Sequence, residues 1–171
     1  MSALYDSVDD AWAPSRRLLV TPTLSVIIAS LITTLPIIVN APLLPPLGLM
    51  MLLSWRLMRS DLWPIWIGIP LGFVDDLVSG QPVGSAVALW TIVMLAIDMV
   101  DRRVVWRDYW IDWMIGGIAL LFVLFFGACL ARVGSPLDIL LLVGPQWLMS
   151  LFLLPLFMLL VARLDRWRLR R

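Results

Sequence analysis

Two adjacent aspartates, Asp75 and Asp76, interrupt an apolar stretch and are the residues in this sequence best suited to chemistry. An acid in the middle of a membrane span costs roughly 2.5–3.5 kcal/mol on insertion scales, so such an acid is a functional suspect. Asp76 can serve as an ion relay or substrate contact, as an assembly contact with a partner, or as a cap for a turn or helix. The sequence leaves these three roles open.

Catalysis by this acidic pair would require further groups at the same depth. A metal-diphosphate site needs several acids converging from different helices, and the other aspartates are expected mostly on the opposite side of the membrane. The chain has no His, no Lys and no Glu, and its single Cys129 lies in an apolar run. It therefore lacks the usual proton shuttle and any thiolate metal site. We expect a protein that is not an enzyme and has no cofactor or metal.

Small residues surround the acidic pair at a regular spacing. Small or acidic residues recur every four positions: Gly68, Gly72, Asp76, Gly80 and Gly84. Within one helix this spacing makes a single stripe that drifts by roughly 40° per step, and its first two glycines form a GxxxG that admits a close backbone. Gly80 and Pro82 break the helix, so Gly84 belongs to the next one. The turn brings Asp76 near that helix's N-terminus, whose free N–H groups favour an anion.

The rest of the chain is apolar enough to place this hairpin in a membrane. Hydrophobic residues make up 61% of the 171 residues, and the mean hydropathy is +0.95, whereas a soluble domain is closer to half apolar. One crossing takes about 20 apolar residues. The composition predicts an all-α polytopic membrane protein, with residues 1–171 forming one transmembrane domain and no separate soluble domain.

Six apolar segments are the predicted spans: Leu18–Val39, Leu43–Met58, Leu62–Val78, Val83–Val100, Trp113–Ala131 and Leu137–Ala162. The second is short and starts with Pro45-Pro46, so a tilted, broken or re-entrant helix stays open. The aromatic, charged run 101–112 predicts an interfacial segment. Ser135 and Pro136 predict the start of the last helix as N-cap and first residue, and Gly144-Pro145 and Pro155 predict interruptions within it.

Arginine predicts the orientation. With the N-terminus inside, twelve of the 13 arginines lie on the cytoplasmic side and only Arg132 lies outside, which is the bias that cytoplasmic loops show. The polar segment 1–17 and the basic tail 163–171 are then cytoplasmic, and the tail is expected to contact anionic lipid. The charged cluster from Asp98 to Asp112 is expected to be a solvated face with local ion pairs, and docking of a cytoplasmic partner is the alternative. Arg132 is the possible ion-pair partner of Asp75 or Asp76.

The hairpin also carries a family resemblance. The run Gly72-x-x-x-Asp76-Leu77-x-x-Gly80-x-x-Val83-Gly84 resembles the signature of the rod shape-determining protein MreD family. The length, the six-span layout and the short second span ending in Trp55 are similar as well. Asp75 is additional to the pattern, so the sequence leaves open which acid takes the family role.

The resemblance implies a non-catalytic subunit of the bacterial cell-elongation machinery in the inner membrane, with a role in rod shape and peptidoglycan synthesis. It implies the bitopic protein MreC as a partner and, through it, RodA, a class B penicillin-binding protein and MreB; no nucleic-acid contact is expected. It also implies a fold similar to the S component of energy-coupling vitamin transporters. The alternative is therefore a transport subunit that binds a small molecule through residues such as Asp75, Asp76, Gln81, Arg132 and Gln146.

Overall fold

Six helices follow one another along the chain in this computed structural model, which describes residues 16–34, 44–80, 82–103, 108–131 and 135–169. They are α1 (Arg16–Thr34), α2 (Leu47–Met58), α3 (Gly68–Ser79), α4 (Ser85–Asp101), α5 (Tyr109–Leu130) and α6 (Pro136–Leu169), with a 3-10 turn at Ile65–Ile67 before α3. The described residues form no strand, so this part of the chain is all-helical, and each helix falls on one predicted span.

Helix α2 lies at the centre of the fold. Ten of its 12 residues are buried, and it packs mainly against α1 and α6. The other helices contact one another in the order α1, α3, α4, α5 and α6 around it. Helix α2 is one unbroken helix that begins after Pro46, and its length of about 18 Å is well short of a bilayer core of roughly 30 Å.

Helices α5 and α6 present most of their apolar surface to the outside. The segments Tyr109–Leu130 and Leu137–Leu169 are both long and apolar enough to cross a membrane. At about 1.5 Å per residue, the 34 residues of α6 span far more than one bilayer core.

Helix α6 runs without interruption through Pro145 and Pro155, so the predicted interruptions are wrong. Proline removes the N–H that would bond the carbonyl four residues earlier. At Pro155 that carbonyl belongs to Leu151, and the indole Nε1–H of Trp113 in α5 donates to it at 3.0 Å. A neighbouring helix therefore supplies the missing donor, which is how membrane helices tolerate proline.

The start of α6 agrees with the prediction. Ser135 precedes the helix, Pro136 is its first residue, and the Asp138 N–H donates to Ser135 Oγ at 3.4 Å. In return, the Ser135 N–H donates to Asp138 Oδ2 at 2.8 Å, which completes a capping box. Helix α5 begins at Tyr109, four residues before the predicted span, so the end of the predicted interfacial run 101–112 is its first turn. Residues 104–107 of that run lie outside the described residues.

Candidate functional site

Asp76 is buried between α3 and the first turn of α4, with only 1% of its surface exposed. Its Oδ2 accepts hydrogen bonds from the N–H groups of Gly84 at 2.8 Å and Val87 at 3.3 Å. Its Oδ1 accepts from the N–H of Ala86 at 2.8 Å and from Ser85 Oγ at 3.1 Å. The carboxylate thus occupies the anion site at a helix N-terminus, and the predicted capping role is confirmed.

Two glycines allow α3 to come close enough for this cap. A Cβ on Gly72 would lie 2.8 Å from the Ala86 carbonyl oxygen, and one on Gly68 would lie 3.2 Å from the Thr91 Cα. The predicted small face therefore meets the backbone of α4 in the same chain. Gly80 and Gly84 shape the turn between the helices with φ of 67° and 98°, values that side chains rarely adopt.

The remaining residues of the hairpin are exposed at its tip, which we define as Leu77, Gly80, Pro82, Val83 and Gly84. The side chains of Leu77 and Val83 are 63% and 72% exposed. Gln81 lies outside the described residues. The predicted partner-binding hairpin thus divides into a face used within the chain and a tip that is open to a partner.

Asp75 projects in a different direction from Asp76, as expected for adjacent helical positions about 100° apart. Its Oδ1 accepts a hydrogen bond from Ser30 Oγ of α1 at 2.7 Å. Gly48 at the start of α2 leaves room for this contact, because a Cβ there would lie 2.1 Å from Ser30 Oγ. Arg132 lies outside the described residues, so its pairing with either aspartate stays a prediction.

Asp75 also lines a partly open cavity of about 310 Å³ between α2, α3, α4, α5 and α6. The walls are mostly apolar and include Leu49, Leu89, Trp90 and Val123. Gln146 of α6 lies on the rim, where its Nε2 donates to the Leu44 carbonyl at 2.7 Å. The arrangement combines one carboxylate with hydrophobic walls, which suits a small molecule that carries a positive group.

A second group of charges, which we call the inner cluster, ties α2, α4 and α6 together at the other end of the bundle: Arg56, Arg59, Asp98, Asp101, Asp165 and Arg168. Arg56 is 3% exposed and reaches Asp101 at 3.0 Å and Asp98 at 3.5 Å. Its Nη1 donates to the Ser60 carbonyl at 2.8 Å. The predicted local ion pair is present, because Arg102 pairs with Asp98 at 2.8 Å. Asp98 and Asp101 are only partly exposed, however, since a buried cation from α2, which the prediction did not include, pairs with both of them.

The end of α6 joins the same cluster. The Asp165 carboxylate forms salt bridges with Arg168 at 2.6 Å and with Arg59 at 3.0 Å. The Arg168 guanidinium also lies 5.6 Å from the centre of the Trp55 ring, which is a favourable cation–π distance. The predicted basic tail is thus helical up to Leu169, and Arg168 packs against the protein.

Hydrogen bonding to Asp61 raises the pKa of Arg59. Burial alone would raise the pKa of Asp61. Its hydrogen bond with Arg59 acts in the opposite direction, and the Asp61 pKa is below its ordinary value.

Replacing Arg56 with Gln should lower the free energy of unfolding by about 1–2 kcal/mol. A fully buried ion pair costs roughly 3–5 kcal/mol when one partner is removed, but water reaches Asp98 and Asp101, and Arg102 still pairs with Asp98 at 2.8 Å. The measurement is reversible unfolding of the purified protein in mixed micelles. The matched control is Arg102→Gln, whose side chain is 75% exposed. Equal losses in the two variants would contradict the buried position of Arg56.

The sequence did not single out Arg56, Ser30 or Trp55 as site residues. Each of these residues stands alone in or beside an apolar run, with no neighbouring motif. Only the packing of separate helices brings them to their partners. In the part of the chain that the structure describes, no three Cys or Asp side chains converge as a metal site.

Comparison of the whole chain with protein-family profiles, curated proteins and solved structures returns no match.

Proposed function

We propose that this chain is a non-catalytic, multi-pass subunit of the bacterial cell-elongation machinery, resembling the rod shape-determining protein MreD family. One observation carries the proposal: the residues of the resembling run act together as one folding unit. Gly72 admits the α4 backbone, Asp76 caps α4, and Gly80 and Gly84 form the turn. A pattern whose members have such linked roles is less easily produced by chance than a set of unconnected residues.

We further propose that the chain crosses the inner membrane six times with both ends in the cytoplasm. The short helix α2 is the buried one, with ten of its 12 residues enclosed by the other helices, so its length does not have to match the lipid thickness. The exposure of α5 and α6 supports a lipid environment, because only 28% and 22% of their most apolar windows are buried. A core helix of a soluble protein would be mostly buried. The inner cluster supports the orientation, since Arg56, Arg59 and Arg168 lie together at one end and positive residues favour the cytoplasmic side.

Labelling of single cysteines tests this topology. In a Cys129→Ala background, Pro82→Cys and Ser135→Cys should react with a membrane-impermeant maleimide added to intact cells. Ser60→Cys and Arg103→Cys should react only after the cells are opened. All four positions are exposed, so access to the reagent depends on the side of the membrane. Labelling of Ser60→Cys in intact cells would contradict the six-span arrangement.

The hairpin tip is the proposed contact with the bitopic partner MreC, through which RodA, a class B penicillin-binding protein and MreB would be reached. Leu77 lies in the last turn of α3 and Val83 in the turn that follows, and both are exposed apolar side chains at this end of the hairpin. Exposed apolar residues mark interaction sites when they are grouped.

Depletion and crosslinking test the function together. Depletion in the source organism should turn rods into rounded cells, and a photoreactive residue at position 77 or 83 should crosslink to a bitopic periplasmic protein. Position 137 is the control, because Leu137 is 71% exposed but belongs to α6. Depleted cells that stay rod-shaped would overturn the proposal, and equal crosslinking at position 137 would exclude the hairpin tip as the specific contact.

The cavity beside Asp75 supports a second candidate function, an S-component-like subunit that binds a small molecule for transport. Its volume of about 310 Å³ falls at the lower end of the roughly 300–1,000 Å³ typical of ligand pockets. Co-purification with an ATPase partner, together with normal rods after depletion, would favour this function over the first.

A further inference from the structure

We propose that the cavity beside Asp75 is a binding site for a small organic amine, which is held as an ammonium ion by the Asp75 carboxylate. The cavity combines one acidic group with walls that are otherwise mainly hydrocarbon. A molecule with a positive head and an apolar body matches both parts. This inference rests on the second candidate function and specifies its ligand class.

The two neighbouring aspartates differ in how much hydrogen-bond acceptor capacity remains for a ligand. Asp76 already accepts four hydrogen bonds from the start of α4 and is buried. Asp75 accepts one bond from Ser30, and no other described residue donates to it. A carboxylate can accept several hydrogen bonds, so Asp75 retains capacity on the side that faces the cavity.

The bond from Ser30 fixes where this capacity points. Ser30 is 2% exposed, and the absence of a Cβ on Gly48 lets α1, α2 and α3 meet beside it. The Asp75 carboxylate is therefore held at the cavity wall by a buried donor rather than swinging freely. A preorganised acceptor of this kind binds a cation with less loss of side-chain freedom.

The size of the cavity limits the ligand. About 310 Å³ corresponds to roughly ten water molecules at about 30 Å³ each, which is enough for a single small ring or a short chain with its amino group. Trp90 and Leu89 of α4 form one wall, and Val123 of α5 forms another. These side chains would contact the apolar body, while the amino group lies at Asp75.

Binding of phenethylammonium to the purified, full-length protein tests the proposal by titration calorimetry. Phenethyl alcohol and 3-phenylpropionate serve as neutral and anionic probes of similar shape. We expect the amine to bind at least about tenfold more tightly than either probe, because an ion pair in a largely apolar site is stronger than one in water. Asp75→Asn should remove this preference and retain the bond from Ser30.

Two further variants keep the test independent of folding. Ala128→Phe fills the cavity from α5 and should abolish binding of all three probes, whereas Asp138→Asn removes an exposed carboxylate outside the cavity and should leave binding unchanged. Each variant is compared only while its size-exclusion profile matches the parent. Equal affinity of the parent for the amine and the alcohol, or an amine preference that survives Asp75→Asn, would overturn the proposal.

The ammonium can come from a free amine or from an ethanolamine lipid, and nanodiscs distinguish the two. Because anionic phosphatidylglycerol attracts any cation, the quantity compared is the Asp75-dependent binding, the parent minus Asp75→Asn, in each lipid. A smaller Asp75-dependent binding in phosphatidylethanolamine than in phosphatidylglycerol nanodiscs would show that a lipid head group takes the site, and an equal one would assign it to free amines. If the parent binds no amine but Arg132→Gln does, Arg132 is itself the cation, and the proposal is overturned.

Amine binding is measured on the purified protein. A negative binding result is therefore distinguishable from a negative result in the cell-shape or ATPase-partner experiment.

Discussion

Replacing Asp76 with Ala is expected to lower the free energy of unfolding by about 3–4 kcal/mol, the largest effect of any single change considered. The carboxylate accepts from three backbone N–H groups and one hydroxyl at the start of α4. Hydrogen bonds to a charged group contribute roughly 1.5–3 kcal/mol each, though not additively, and buried donors left without an acceptor cost more. Reversible unfolding in mixed micelles measures the loss.

The neighbouring aspartate is the matched control. Asp75→Ala removes a single hydrogen bond from Ser30 and should cost about 1.5 kcal/mol, the lower end of the range for one bond to a charged group. Asp76→Asn should fall between the two, because its amide retains one oxygen for the α4 N–H groups but places an NH₂ against the others. If Asp75→Ala were as damaging as Asp76→Ala, the cap would not be the main contribution of the acidic pair to stability.

Replacing Gly72 with Ala is expected to cost about 2–3 kcal/mol, which is the upper part of the range for overpacking a close contact. The new Cβ would lie 2.8 Å from the Ala86 carbonyl oxygen and from the Val87 backbone. Backbone atoms of a helix cannot turn aside as a flexible side chain does, so α3 and α4 must separate. That separation also weakens the Asp76 cap, and loss of thermal stability of the purified protein reports both effects.

Gly144→Ala supplies the control for this prediction. Gly144 lies within α6, and a Cβ there meets nothing within 4 Å. Alanine favours a helix over glycine by up to about 1 kcal/mol, so this variant should be neutral or slightly more stable. A similar loss in Gly144→Ala and Gly72→Ala would mean that the close approach of α3 to α4 is not what requires glycine.

Helix number and the hairpin were predictable because they depend on neighbours in the chain. The apolar runs are separated by polar residues and prolines, so each helix of the structure falls on one of them. Asp76 is only eight residues from Gly84, and the turn formed by Gly80 and Gly84 brings the next helix back to the acid. Local spacing was therefore sufficient to place Asp76 beside the start of α4, but only the hydrogen bonds of the structure identify it as the cap.

Contacts between distant helices were not predictable in the same way. Pro155 was expected to interrupt α6, and only the indole of Trp113 from α5 explains why the helix continues. For Asp98 and Asp101 only local ion pairs were expected, because nothing in their own segment shows that Arg56 of α2 pairs with them. In both cases the deciding partner is about 40 residues away along the chain.

By itself, the sequence determined the order and apolar character of the helices and the closeness of Asp76 to the start of the next helix, since these follow from hydropathy, helical periodicity and the short turn between them. Only the tertiary structure decided that α2 is the buried centre, that Gly68 and Gly72 meet α4 of the same chain, and that Asp75 faces a cavity with Ser30 behind it. The physical reason is that a side chain's burial and partners depend on which helices pack together, and a membrane helix that is apolar on all sides carries little information about its neighbours.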